Sequence, residues 1–203
     1  PGKISISTSG TGGLWHELAA VVAVSAGVTL KYIPYKGGKN ATLAGLNGET
    51  MIAGGGVHEH IEHIRAGKLI NIQQTGAKDI KLKNGTVLKS VGNHLPQIKS
   101  QLPFSGIYNL AMLRSVPKGI QAKLQKAFVA GVKSDAFSKI AKKKFFDVDI
   151  RLGSEADRRA AQVEVSTAAT FAKLKIKNAK SPADLGLPTP ENFSAWWSKN
   201  APK

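Results

Sequence analysis

Short bursts of alternating apolar and polar residues punctuate the first half of the chain, and each gives way to a stretch with helical period. Residues 4–7, Ile-Ser-Ile-Ser, alternate as a strand does. Ser9, Gly10, Thr11, Gly12 and Gly13 then make a small-residue turn. Beyond it, His16, Ala19, Ala20, Ala23 and Ala26 recur near one helical face, and Gly27 is placed to close the helix in a left-handed cap. The pattern next predicts a strand over 30–35, a short helix over 40–46 stopped by Asn47-Gly48, and a strand over 51–53. A second loose loop follows at Gly54-Gly55-Gly56, then a helix over 57–66 and a strand over 69–73. Alternation of strand and helix on short loops predicts an α/β fold, with a mostly parallel sheet flanked by helices.

The pattern weakens over residues 78–101, where turn residues accumulate. Residues 104–113 are mostly apolar and predict a strand. Val116-Pro117 opens a helix whose apolar stripe is Ile120, Leu124, Phe128 and Val132. A shorter helix over 136–143 and a strand over 148–152 follow. Ser154 is placed to cap a long helix, with Asp157 in capping-box position and Ala160, Val163, Thr167, Phe171 and Leu174 as its buried face. The segment 181–203, with Pro182, Pro188 and Pro190, predicts an extended tail anchored by Phe193, Trp196 and Trp197. A strand does not stand alone in a soluble fold, so 148–152 needs a sheet that its own surroundings do not supply.

Composition narrows the chemistry. The absence of cysteine in 203 residues excludes disulfides, thiolate nucleophiles and thiolate metal sites. No run approaches the roughly 18 apolar residues of a membrane-spanning helix. Lys and Arg number 29 against 13 acidic residues, a formal charge of +16, which favours anionic partners: nucleic acid, acidic lipid or a carboxylate. The lysines are scattered, apart from the block Lys142-Lys143-Lys144, and scattered lysines read first as a solvated surface. The chain opens Pro1-Gly2-Lys3 with no basic region or apolar core of a signal peptide, and reads as a processed or cut end.

In parallel α/β sheets ligands sit beyond the carboxyl ends of the strands, which is where both glycine-rich loops fall. Ser7, Thr8, Ser9, Gly10, Thr11, Gly12 and Gly13 run into a helix start. There, unpaired N–H groups and a partial positive charge suit a carboxylate, and glycine permits close approach. The spacing is neither a phosphate P-loop nor a dinucleotide fingerprint, and the alternative is an ordinary strand–helix turn. Tyr35, at a strand end, either meets a ligand or merely shapes the Pro34 turn. His58, His60 and His63 form a cluster that reads as a metal site or, more simply, as a solvated helix face; it is not the H-E-x-x-H metalloprotease pattern. No G-x-S-x-G elbow or paired carboxylates point to catalysis.

Several segments taken in order carry a resemblance: Thr8-Ser9-Gly10-Thr11-Gly12-Gly13 followed by His16, then YIPYKGG at 32–38, LAGLNGE at 43–49 and IRAGKL at 64–69. Over residues 1–175 the chain resembles the receptors of tripartite tricarboxylate transporters, the Bug family. The resemblance implies a periplasmic-binding-protein type II-like fold of two lobes around a cleft. Residues 1–113 would form a complete second lobe, residues 114–180 the returning part of a first lobe present only in part, and 181–203 the tail. The family's earlier residues, absent here, would supply the partners of strand 148–152. By the same resemblance Ser7 to Gly13, His16, Tyr35, Gly54, Gly55, Gly56 and Val57 would face the ligand, with backbone N–H groups and waters holding a carboxylate. The chain departs from the family pattern near Thr50, and at 86–90, where Thr-Val-Leu-Lys-Ser replaces the usual Pro-Thr-x-x-Glu.

The expectation is a non-enzymatic periplasmic receptor without cofactor or metal, monomeric when full-length. It would bind a small carboxylate and dock on membrane permease subunits. The competing reading is a basic nucleic-acid or polyanion-binding domain, motivated by the charge and weakened by the scarcity of aromatics for stacking.

Overall fold

A central strand fixes the first half of the molecule. The computed structural model of the chain describes residues 2–11, 13–173, 175–176 and 178–202, so Gly12 and Leu174, both named above, lie outside the described residues. Strand β1 (Ser5–Thr8) pairs in parallel with β2 (Lys31–Pro34) on one side and β3 (Ile52–Ala53) on the other. Its alternating sequence suggests one solvated face, yet Ile6, Ser7 and Thr8 are all buried. A central parallel strand is covered on both faces, so its polar residues must find partners inside. Ser7 does so: its hydroxyl donates to the Ala41 carbonyl at 2.6 Å.

Three helices alternate with these strands: α1 (Leu14–Ser25), α2 (Gly38–Leu46) and α3 (Val57–Arg65). Gly27 closes the turn after α1 at φ +66°, as its position foretold. Of the alanine row only Ala23 is buried in α1, where it joins the larger Leu18 and Val21. Strands β4 (Ile80–Lys81) and β5 (Val87–Leu88) form a small antiparallel hairpin. Its turn uses Gly85 at φ +85°, and Leu82 donates its N–H to the Thr86 carbonyl at 2.8 Å. Leu82, Leu88, Val91 and Ile98 bury beside it.

The chain divides into two compact units, Pro1–Gly106 and Ile107–Lys203. The second is helical: α4 (Lys118–Val132), α5 (Asp135–Lys144), α6 (Gly153–Lys173) and α7 (Phe193–Asn200). Four expectations need correction. The apolar segments 69–73, 104–113 and 148–152 form no strand: Phe104 exchanges bonds with Thr75, but no ladder extends from it, and Ile70 is 90% and Leu110 78% exposed. The apolar stripe of α4 is unburied. Helix α6 begins at Gly153, ahead of Ser154, and buries Val165, Ala168 and Thr170. The segment 181–203 is no extended tail: after two short 3-10 turns, α7 seats Phe193 in a cluster with Trp196 and Trp197, and the Arg158 guanidinium lies 5.5 Å over the Phe193 ring.

Candidate functional site

Because β1, β2 and β3 run parallel, their carboxyl ends lie at one edge of the sheet, and each feeds a helix start. The three connecting loops, residues 9–13, 35–37 and 54–56, are stitched together through the backbone. Tyr35 donates its N–H to the Thr8 carbonyl at 2.7 Å, Gly37 to Ser9 at 3.3 Å, and Gly54 to Ser7 at 2.9 Å. The residue preceding each helix is glycine: Gly13, Gly37 and Gly56. None offers a side-chain oxygen to the first-turn N–H groups, so these keep their capacity for another acceptor. Gly37, at φ +83°, adopts a backbone that side chains disfavour.

One internal acid serves two of the three helix starts. Glu59 Oε2 accepts the Gly56 N–H at 2.7 Å, which closes the first turn of α3. The same carboxylate lies against Gly38, the first residue of α2, where an added Cβ would overlap it. The start of α1 lacks this contact and carries Glu17 in its own first turn, and the loop ahead of it is open. Ser9, Gly10 and Gly13 are partly exposed, Thr11 is exposed, and a Cβ at Gly10 would meet nothing within 4 Å. Lys36 and Lys39, exposed at the start of α2, add positive charge to this edge.

The sequence-predicted residues separate into groups. Ser9, Gly10, Thr11, Gly13, Gly54, Gly55, Gly56 and Val57 come together at the edge. Ser7 and Thr8 lie in the strand beneath, fully buried; the Ser7 proton is engaged by Ala41, so this hydroxyl braces the sheet. The Tyr35 hydroxyl donates to Glu49 at 3.0 Å and is likewise engaged within the protein. His16, in the first turn of α1, stacks on Tyr32 of β2 with ring centroids 4.6 Å apart, and its Nδ1 is buried with no partner. Burial raises the neighbouring Glu17 carboxyl above its ordinary value, with His16 opposing.

The histidine cluster is not a uniformly solvated helix face. His60 is largely buried and its Nε2 has no hydrogen-bond partner. Burial lowers its imidazole below the ordinary range; Glu59 opposes this, while His63 and His58 add to it. A Cβ at Gly55 would come within 2.8 Å of this Nε2, so the ring packs beneath the third loop. Among the described residues, no three His, Cys, Asp or Glu side chains are grouped as a metal site. Trp15 and Glu59 were not singled out by the sequence, and His60 only as part of the histidine cluster. Trp15 Cζ2 approaches Gly56 so closely that a Cβ there would lie 3.0 Å from it. The available signal was position, since all three side chains occupy the first turns that follow glycine loops.

Three glycine-led helix starts on one edge of a parallel sheet are the arrangement of an α/β lobe of the periplasmic-binding-protein kind. The family model described as tripartite tricarboxylate transporter family receptor matches residues 1–166, and the chain belongs to that family. No curated protein matches it. Two solved structures share its fold. One, titled as the structure of a periplasmic transporter, is 20% identical with a TM-score of 0.62, over 89% of this chain and 57% of that one. The other, the R. palustris protein Rpa4515 with adipate, is 19% identical with a TM-score of 0.61, over 93% of this chain and 58% of that one. The chain thus spans 57–58% of the length of these structures, which fits one lobe being present in part. Among the described residues no helix is long and apolar enough to cross a membrane.

Proposed function

We propose that the chain is the ligand-holding part of a periplasmic receptor that captures a small organic carboxylate for a tripartite tricarboxylate-type secondary transporter. Residues 1–113 belong to the lobe that carries the ligand loops, and 114–180 to the other lobe. The acid group of the ligand sits at the loop 9–13, against the start of α1. The observation that carries this reading is the open loop ahead of α1: its glycine-led start has no side-chain cap and Gly10 faces open space, while the start of α3 is already closed by Glu59. A carboxylate there accepts backbone N–H bonds and lies along the helix dipole. Ser9 and Thr11 stand beside it as hydroxyl donors, and Trp15 supplies an apolar wall. No acid–base pair is required, because the receptor holds its ligand unchanged and presents it to membrane permease subunits. The adipate bound to the R. palustris relative in fold makes linear dicarboxylates the first compounds to try.

The experiment is a thermal-shift and calorimetric screen of this chain with adipate, shorter dicarboxylates, tricarboxylates, aromatic acids and acidic amino acids. A ligand at a hundred times its Kd stabilises by about 2.7 kcal/mol, a readily measured rise in Tm. Silence across the whole panel, with the chain folded, would sink the reading.

A further inference from the structure

The first turn of α3 brings an acid and a base to one spot beneath the third loop. Glu59 and His60 are successive residues, and on a helix successive side chains ordinarily point apart. Side chains in a first turn lean back toward the helix start, and here both tips reach Gly55. A Cβ added to Gly55 would lie 2.7 Å from Glu59 Oε2 and 2.8 Å from His60 Nε2, so glycine leaves the room in which the two ends approach. They do not bond to one another. Glu59 Oε2 accepts the Gly56 N–H at 2.7 Å, and His60 Nε2 is shut off from solvent without a partner.

A buried nitrogen without a partner calls for an explanation. A histidine that only braces the fold would find a carbonyl or hydroxyl at this position. The neighbouring acceptor is instead a carboxylate engaged elsewhere. Uncharged, the ring gains little from it; protonated, it becomes a cationic donor, and a charge-assisted bond is about twice as strong as a neutral one. The charges that act on His60 are those of Glu59, His63 and His58, all on α3, and of these Glu59 favours the charged ring. Among the elements packed against the pair, the third loop presents Gly55 and Gly56 and α2 presents Gly38, none of them titratable. Lys36 and Lys39 are exposed at the start of α2. We infer that His60 and Glu59 form a proton-operated catch on the ligand edge: a proton on His60 draws the Glu59 carboxylate from the Gly56 N–H and neutralises the acid that an arriving carboxylate meets. Capture is then stronger in acid, and a bound carboxylate holds the proton on His60 in return. The ligand half of this inference rests on the proposed carboxylate site.

The test is an NMR titration of the isotopically labelled chain, without ligand, across a pH range on either side of the ordinary imidazole value of about 6.5. The Gly56 amide resonance should move with the same midpoint as the His60 ring. The movement should vanish in His60→Gln and persist in His63→Gln. If His60→Gln fails to fold, coincidence of the two midpoints in the parent decides by itself. A Gly56 amide that stays still while His60 titrates, or moves alike in His60→Gln, would overturn the inference. So would a ring that remains neutral throughout the range. Calorimetry with adipate reads the coupling to the ligand. From the alkaline to the acid end of the range, affinity in the parent should rise about fivefold relative to His60→Gln, a comparison in which adipate's own titration cancels. Adipate bound with an unchanged ratio overturns the coupling. Adipate bound at no pH counts against the proposed function alone, and the amide titration still decides the catch.

Discussion

The carboxylate of Glu59 lies against the α-carbon of Gly38, in the space that a side chain at position 38 would fill. The contact joins the starts of α2 and α3 and gives two helix dipoles a shared internal counter-charge. Gly38→Ala forces this carboxylate aside within a packed setting. The expected outcome is a loss of about 1–3 kcal/mol, the usual cost of overpacking, measured by urea denaturation. A variant as stable as the parent would show that the two helix starts do not depend on the contact.

Glu59→Gln separates charge from shape. The amide oxygen can still accept the Gly56 N–H, while the interaction with the helix starts weakens by about 0.5–1 kcal/mol. On the proposed function, removing this acid also removes repulsion toward a ligand carboxylate. Calorimetry should therefore show tighter anion binding at low salt, with the gain fading as salt rises. Weaker binding in the variant would contradict the placement of the ligand on the same sheet edge as Glu59.

Ser7 ties the central strand to α2 through its 2.6 Å bond to the Ala41 carbonyl. Ser7→Ala removes a buried donor without adding volume, and should cost about 1–2 kcal/mol. Ligand affinity should fall little, because this hydroxyl points into the sheet and away from the loop. A large drop in affinity at unchanged stability would instead place Ser7 in direct contact with the ligand.

His60 gives folding a pH dependence of definite sign. Burial lowers its imidazole pKa relative to the unfolded chain. Above the unfolded value of about 6.5 both states are neutral there and stability is full. As pH falls through that value the unfolded chain takes up a proton first, and stability declines until the folded pKa is passed. Tm measured from pH 7.5 down to 5 should fall in the parent, and fall less in His60→Gln. Parallel curves for the two proteins would show that the His60 ring titrates as freely as one in water.

The alternation of strands and helices through Arg65 was legible in the sequence because each glycine loop separates two clear periods. The glycines at 13, 37 and 56 mark helix starts whatever packs around them. The hairpin of β4 and β5 was missed although Asn84-Gly85 is a turn signal, because its strands are two residues each and show no alternation. Segments 69–73, 104–113 and 148–152 failed as strands for another reason. Apolar, β-prone composition records a tendency, and a strand exists only where a neighbour supplies its hydrogen bonds. At the site, backbone positions were readable and side-chain partners were not. That Tyr35 binds Glu49, or that Glu59 reaches Gly38, depends on distances across the fold that no local pattern encodes.

Glycine at all three helix starts has an evolutionary corollary. A cradle written in peptide groups treats every acid alike and survives nearly any exchange of side chains around it. On the proposed function, choice among metabolites then resides in the bordering positions, such as Trp15, which are free to vary without disturbing the grip itself. A lineage built on such a lobe can change its diet by altering the rim alone.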